Sequence, residues 1–338
     1  MGKMKKNYET SKIRNIISSI GGEKLVLVMA IIGVFLLFTG LNSNFFTTQN
    51  IINLLIASSL VGMVAVGHTY LIIAGQNDLS PGSLAAFSGV FIALLLSWGV
   101  SVFPAILIVL LASTVVGFFN AWMVNKIKLE AFIATLVTQS IVRGLAFIIS
   151  DGRTVAISNQ SFLQLDRVRI LSLPISVWLM ILTFIFFGFV LSRTKFGRNV
   201  YAVGGSSEAA RLAGLEPKRI ITVCFLIISV LTALGGIMFA ARMNTGQPAA
   251  NINLEFDAIT AVILGGVSFA GGSGSIAGTA LGVFLIQSFN TGLIMVNVPS
   301  FWQFVARGGL LLFALAVDYI RKERREKELL ALSMKNVK

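Results

Sequence analysis

The sequence predicts an all-α integral membrane protein of about ten transmembrane helices, and three observations carry that reading. Of its 338 residues 56% are hydrophobic and only 12% are charged, about half the charged fraction of a soluble domain. The apolar residues fall in long runs, and a helix that crosses the hydrocarbon layer needs roughly 20 such residues in a row. The net charge of +13 collects in short segments between those runs, which is how orientation is encoded in membrane proteins. Together these features exclude an ordinary soluble enzyme, a disulfide-rich secreted domain, a disordered chain and a nucleic-acid binder. A single cysteine, Cys224, allows no internal disulfide, and a single histidine, His68, leaves no histidine cluster for a catalytic metal.

In chain order, residues 1–24 form a polar N-terminal tail with Lys3, Lys5, Lys6, Lys12, Arg14 and Lys24. Many apolar runs follow it and no A-x-A site is present, so it does not read as a cleavable signal peptide. Spans are expected at about 25–40, 51–74, 84–98, 101–125, 131–150, 174–192, 219–241, 256–270, 276–296 and 301–320. The third and eighth are short and interrupted by glycine, which makes each a candidate for a broken or re-entrant helix. Lys126 and Lys128 follow the fourth span, Arg193, Lys195, Arg198, Arg211, Lys218 and Arg219 follow the sixth, and residues 321–338 form a basic C-terminal tail. With ten spans these segments and the N-terminal tail share one face, which the positive-inside rule assigns to the cytoplasm, with both termini there. The transmembrane domain is therefore 25–320. Its longest cytoplasmic loop, about 193–218, is too short to fold alone, and no G-x-x-x-x-G-K-[ST] phosphate loop is present.

A weak internal echo relates Ala74–Ser83, after the second span, to Thr245–Asp257, after the seventh. The offset of five spans is odd, as in an inverted-topology repeat, whose broken segments line a midplane substrate site. A second echo, Gly82–Ala85 against Gly274–Ala277, implies a different pairing. In the cytoplasmic loop, Ser206 or Ser207 can cap a short helix, Glu208 suits its first turn and Gly214 can stop it. Ala209, Ala210 and Ala213 give that helix a slim face, suited either to a groove on a partner protein or to the membrane surface.

The segment Glu208-Ala209-Ala210-x-x-x-Gly214 resembles the coupling motif of ABC importer permeases. The wider stretch Thr194–Gly214 is similar to the ribose/simple-sugar branch, typically T-x-F-G-R-N-x-x-A-x-G-G-x-x-E-A-A-R-x-x-G. Asp78-Leu79-Ser80-x-Gly82-Ser83 resembles that branch's D-L-S-V-G-S. Asp257–Val262, with Gly265-Gly266-Val267-Ser268 and Gly271–Ser275, resembles its D-A-I-A-A-V-x-x-G-G-x-S-x-x-G-G-x-G-S. The likeness runs from about residue 30 to 320 and departs at Ala74, Gln76 and Asn77, where the branch has G-G-I. It implies a multi-pass protein of the bacterial cytoplasmic (inner) membrane that docks on an ATP-binding subunit through Gly204, Gly205, Glu208, Ala209, Ala210, Arg211 and Gly214. It also implies a second permease copy, identical or not, and an extracytoplasmic sugar-binding protein. This chain itself would need no cofactor, since ATP and magnesium would sit on the ATPase partner.

Ionisable residues within spans are costly and so are functional candidates. Asp78 either caps the helix from Ser80 onward or touches the substrate path. Asp257 opens the eighth span, where it suits a cap. Arg143 lies within the fifth span, paired with an acid or facing the path. With Gln76, Asn77, Ser80 and Gln303 these complete the candidate translocation path. Asn120 and Gln139 suit interhelical polar contacts, and His68 an interhelical histidine with its hydrogen bonds satisfied. The competing readings are an ion-coupled secondary transporter, an ABC permease for nucleosides or branched-chain amino acids, and a membrane-embedded enzyme. The first would need acidic or histidine relays deep in the spans; the last would need a convergent catalytic set that the sequence does not offer.

Overall fold

Continuous apolar composition makes helix the only open-ended way to satisfy the backbone in lipid, and the computed structural model, which describes residues 22–335, is built that way. The described residues form thirteen α-helices: α1 (Gly22–Leu41), α2 (Thr48–Ile73), α3 (Pro81–Ser97), α4 (Val102–Trp122), α5 (Ala131–Ile149), α6 (Gln160–Arg167), α7 (Ile175–Arg193), α8 (Lys195–Gly205), α9 (Ser207–Leu212), α10 (Pro217–Met243), α11 (Leu254–Leu264), α12 (Ile276–Met295) and α13 (Ser300–Lys335). Seven are long and apolar enough to cross a membrane: α2, α4 with its terminal π-turn, α5, α7, α10, α12 and Ser300–Ile320 of α13. Leu25–Leu41 and α3 are apolar but shorter. Residues 321–335 continue α13 as helix, while 336–338 and residues 1–21 of the expected N-terminal tail lie outside the described residues.

The expected eighth span, 256–270, is corrected by the structure. Its helix α11 has 11 residues, about 16 Å at 1.5 Å per residue, and reaches only about half of a ~30 Å hydrocarbon layer. Glycine breaks it off: after Leu264 the chain turns through Gly266, Gly271, Gly272 and Gly274, all at positive φ. The third span, by contrast, is a continuous helix of 17 residues.

Helices α2 and α10 form the centre. In their most apolar windows 72% and 67% of residues are buried, against 6% in α13, whose Phe301, Trp302, Val305 and Leu312 face outward. Small residues set the central spacing: a Cβ at Gly67 of α2 would overlap Ile228 of α10, and one at Gly236 of α10 would overlap the α3 backbone at Ala85. Such close approach substitutes for a hydrophobic driving force that lipid cannot supply. Opposite the α8–α9 side, the loop 151–173 folds over the bundle. Its strand β1 (Val155–Ala156) pairs antiparallel with β4 (Thr245–Gly246), while β2 (Arg169–Ile170) pairs with β3 (Leu173–Pro174). Phe162 and Leu163 of α6 pack there against Ile237, Ala240 and Ala241 of α10.

Candidate functional site

The motif at 194–214 folds into two short helices, each opened by a side-chain cap. The Thr194 hydroxyl accepts from the Gly197 amide at 3.2 Å to open α8, and the Ser206 hydroxyl accepts from the Ala209 amide at 3.1 Å to open α9. Gly214, at φ +83°, ends α9 with a bond from the Leu215 amide to the Ala210 carbonyl at 3.0 Å, the left-handed glycine stop expected of this motif. Only Ala210 of the three alanines turns inward, to join the main core; Glu208, Ala209, Arg211 and Ala213 are exposed. Leu212, at 79% exposure, completes an uncovered apolar face with Ala209 and Ala213. The slim face is thus two alanines and a leucine, and Ala210 is its anchor.

The end of α8 is where the loop meets the bundle. A Cβ at Gly204 would overlap both the Ile73 carbonyl, at the end of α2, and the Gly272 amide. The Gly272 amide donates to that same Ile73 carbonyl at 2.8 Å, and the Tyr201 hydroxyl donates to the Gly274 carbonyl at 2.8 Å. Three backbones therefore cross at Gly204: the end of α8, the end of α2 and the loop that follows α11. Gly205, one residue on, faces open space.

From this junction α2 leads directly into its break. Gly75, at φ +76°, ends the helix, and the buried Asp78 holds the turn that follows. Its Oδ1 accepts from the Ser80 amide at 2.7 Å and the Ser80 hydroxyl at 2.6 Å; Asn120 donates to that hydroxyl at 3.2 Å, and the Leu79 amide donates to Thr135 at 3.0 Å. Capping is thus the role the contacts of Asp78 describe. Asp78→Ala is expected to destabilise by about 1–2 kcal/mol, since the cap is lost and buried Ser80 donors are left unpaired; Asp78→Asn retains an acceptor and loses less. Melting of the two variants in detergent checks this, and an alanine variant as stable as the parent would remove the cap from the account.

The second break holds buried charge. Glu255, in the first turn of α11, is 1% exposed and accepts from Gln139 at 3.0 Å, and a Cβ at Gly82 would overlap its carboxylate. Arg143 of α5 donates to the carbonyls of Pro248 and Ala250, both at 2.7 Å, and so pins the segment that leads into α11. The two segments that echo one another in sequence therefore meet, at Gly82 and Glu255. Two residues on, Asp257 pairs with Arg307 of α13 at 3.4 Å. Beside that pair lies a cavity of about 270 Å³ bordered by α2, α10, α12 and the end of α6. At its outer margin burial pushes the Asp166 carboxyl up, opposed by the charges of Arg242 and Arg169.

A family model described as the permease component of branched-chain amino acid transport systems matches residues 50–315. The chain belongs to this permease family. It is 39% identical over 282 residues to the L-arabinose ABC transporter permease protein of Azospirillum brasilense, covering 83% of each chain. It is 34% identical over 298 residues to the ribose import permease protein of Haemophilus influenzae, covering 87% of this chain and 90% of that one. With the ribose import permease protein of Bacillus subtilis it shares 35% identity over 280 residues, 82% of this chain and 87% of the relative. No solved structure matches the chain.

Within the permease, the candidate path residues separate into four places. Gln76, Asn77, Asp78 and Ser80 lie together at the α2–α3 break, Arg143 ties down the segment before α11, and Gln303 donates to the Val298 carbonyl at 2.8 Å to hold the start of α13. Asp257 alone of the seven lines the cavity. His68 departs from expectation: it is fully buried, yet neither ring nitrogen has a hydrogen-bond partner, because its surroundings along α2 are the apolar core of Val64, Ala65, Leu71 and Ile72. Glu255, Asn290 and Arg307 were not singled out from the sequence. Arg307 carried the same signal as Arg143, an ionisable residue inside an apolar run; Gln287 and Asn290 carried another, two amides at i,i+3 on one helix.

Proposed function

We propose that this chain is the membrane-spanning permease subunit of an ATP-binding-cassette importer for a monosaccharide, with ATP hydrolysed on a separate subunit. The observation that carries this reading is the α8–α9 unit: a capped helix with an uncovered face of Ala209, Leu212 and Ala213, fixed at Gly204 to the break of α2 and to the loop after α11. A partner that moves α9 would move both broken segments with it, because the junction is backbone against backbone and has no side chain to yield. The arabinose and ribose permeases among its relatives support a sugar as cargo. α11 and the segment 244–253 before it count as one crossing. The nine apolar helices then make ten crossings in all, with both termini on the cytoplasmic face of the inner membrane beside α8 and α9. A second permease copy and an extracytoplasmic sugar-binding protein complete the assembly.

Co-expression with an ATPase subunit and reconstitution into proteoliposomes with binding protein test the reading. ATP-driven monosaccharide uptake is expected, and Glu208→Lys, which reverses the charge on the exposed first turn of α9, is expected to lower it at least about tenfold while leaving insertion intact. Normal uptake by the variant would refute the coupling role of α9, and uptake that follows a proton or sodium gradient without ATP would replace the importer with a secondary transporter.

A further inference from the structure

Twelve buried side-chain polar atoms lack a hydrogen-bond partner among the described residues, and five of them line the one cavity beside Asp257: Asp166 Oδ1, Ser176 Oγ, Asn251 Nδ2, Asn290 Oδ1 and Arg307 Nε. They come from five separate elements: α6, α7, the segment before α11, α12 and α13. Ser176 and Asn290 are 3% and 5% exposed, and their unpaired polar atoms border a cleft that is partly open at Ile252 and Ile294. Native proteins leave few such groups unpaired, and a concentration of them marks a place where something else supplies the bonds.

The chemistry of the lining narrows what that is. Two carboxylates, Asp166 and Asp257, face two guanidinium groups, Arg242 and Arg307, so the charges balance and the occupant is neutral. The unpaired atoms include donors, acceptors and a hydroxyl that is both, so the occupant must give and take hydrogen bonds in several directions at once. The volume of about 270 Å³ falls just below the roughly 300–1,000 Å³ of pockets for drug-sized molecules, so the occupant is small. A monosaccharide meets all three conditions. An aliphatic amino acid does not: its polar groups sit at one end, and its side chain would bury the remaining atoms without partners.

We propose that this cavity, inside a single permease chain, is a monosaccharide-binding station formed by Asn251, Asp257, Gln287, Asn290 and Arg307. The inference rests on the sugar-importer reading and deepens it by locating where the cargo is held. Its test needs no ATPase. Ile294 lines the cavity and is 57% exposed while Cys224 is fully buried, so Ile294→Cys supplies one accessible thiol to a membrane-impermeant methanethiosulfonate in the full chain held in nanodiscs, with unmodified protein as the blank. D-ribose, L-arabinose or D-xylose at millimolar concentration is expected to slow modification at least threefold, and L-leucine to leave it unchanged. Ile252→Cys, at a lining residue 60% exposed, gives the same readout if the first variant does not fold. Failure of every pentose to protect, protection by L-leucine alone, or no modification at either position would overturn the proposal. Pentose protection in a chain that supports no ATP-driven uptake would instead overturn the importer reading and leave the site standing.

Discussion

Gly204→Val is expected to lower the melting temperature of the protein in detergent and to abolish ATP-driven uptake, whereas Gly205→Ala should leave the melting temperature at the parental value. The two glycines are adjacent in one motif and look equivalent in sequence, but their surroundings are opposite. A Cβ at Gly204 meets the Ile73 carbonyl and the Gly272 amide, while one at Gly205 meets open space. Overpacking in a core usually costs about 1–3 kcal/mol because neighbouring side chains can partly shift. At Gly204 the neighbours are backbone atoms, and they are already engaged in the 2.8 Å bond from Gly272 to Ile73. Accommodation must therefore break that bond or separate α8 from α2, and the cost should sit at or above the top of the range. The functional loss should exceed the loss of stability, since the same contact joins α8 to both broken segments. Equal melting of Gly204→Val and the parent would mean that the three backbones do not cross as described.

How far the sequence discloses the molecule depends on the element. Within the α8–α9 unit, α9 was legible residue by residue, because capping and helix termination are local: Ser206, Glu208 and Gly214 occupy the positions their chemistry suggests; α8 was not read as a helix. Most spans were legible for a similar reason, since apolar runs in lipid have one outcome. The eighth was legible as a candidate for a broken helix, from its shortness and its glycines, but its point of breakage was not: the positive φ values of Gly266, Gly271, Gly272 and Gly274 fix that. Long-range polar contacts were least visible. Glu255 sits two residues from Asp257 in the sequence, yet it meets Gln139 while Asp257 meets Arg307. Successive positions at 100° per residue send neighbours to different helices, and nothing local says which. His68 shows the converse: a polar residue in a span suggests a partner, but only the packing of α2 reveals that both ring nitrogens stay unpaired.

The Asp257–Arg307 pair gives the second large effect, and it separates a pair that stabilises from one that only neutralises. The side chains are 12% and 28% exposed at 3.4 Å, so each charge is largely removed from water and depends on the other. Removing one partner of a buried pair strands the other charge and typically costs about 3–5 kcal/mol, whereas replacing both by apolar residues of similar volume is often neutral. Asp257→Leu and Arg307→Leu should therefore each destabilise strongly, with Asp257→Leu the worse. It strands the guanidinium, whose Nε already lacks a partner, while a stranded Asp257 keeps its hydrogen bond from Asn290. The double variant should recover most of the loss, which makes the coupling energy of the cycle large and favourable. Recovery of stability should not bring recovery of uptake, because two leucines replace two of the polar side chains that line the cavity. Denaturation of the four proteins in one detergent decides the first point: single-variant losses that simply add would show that the two side chains are near one another without depending on one another.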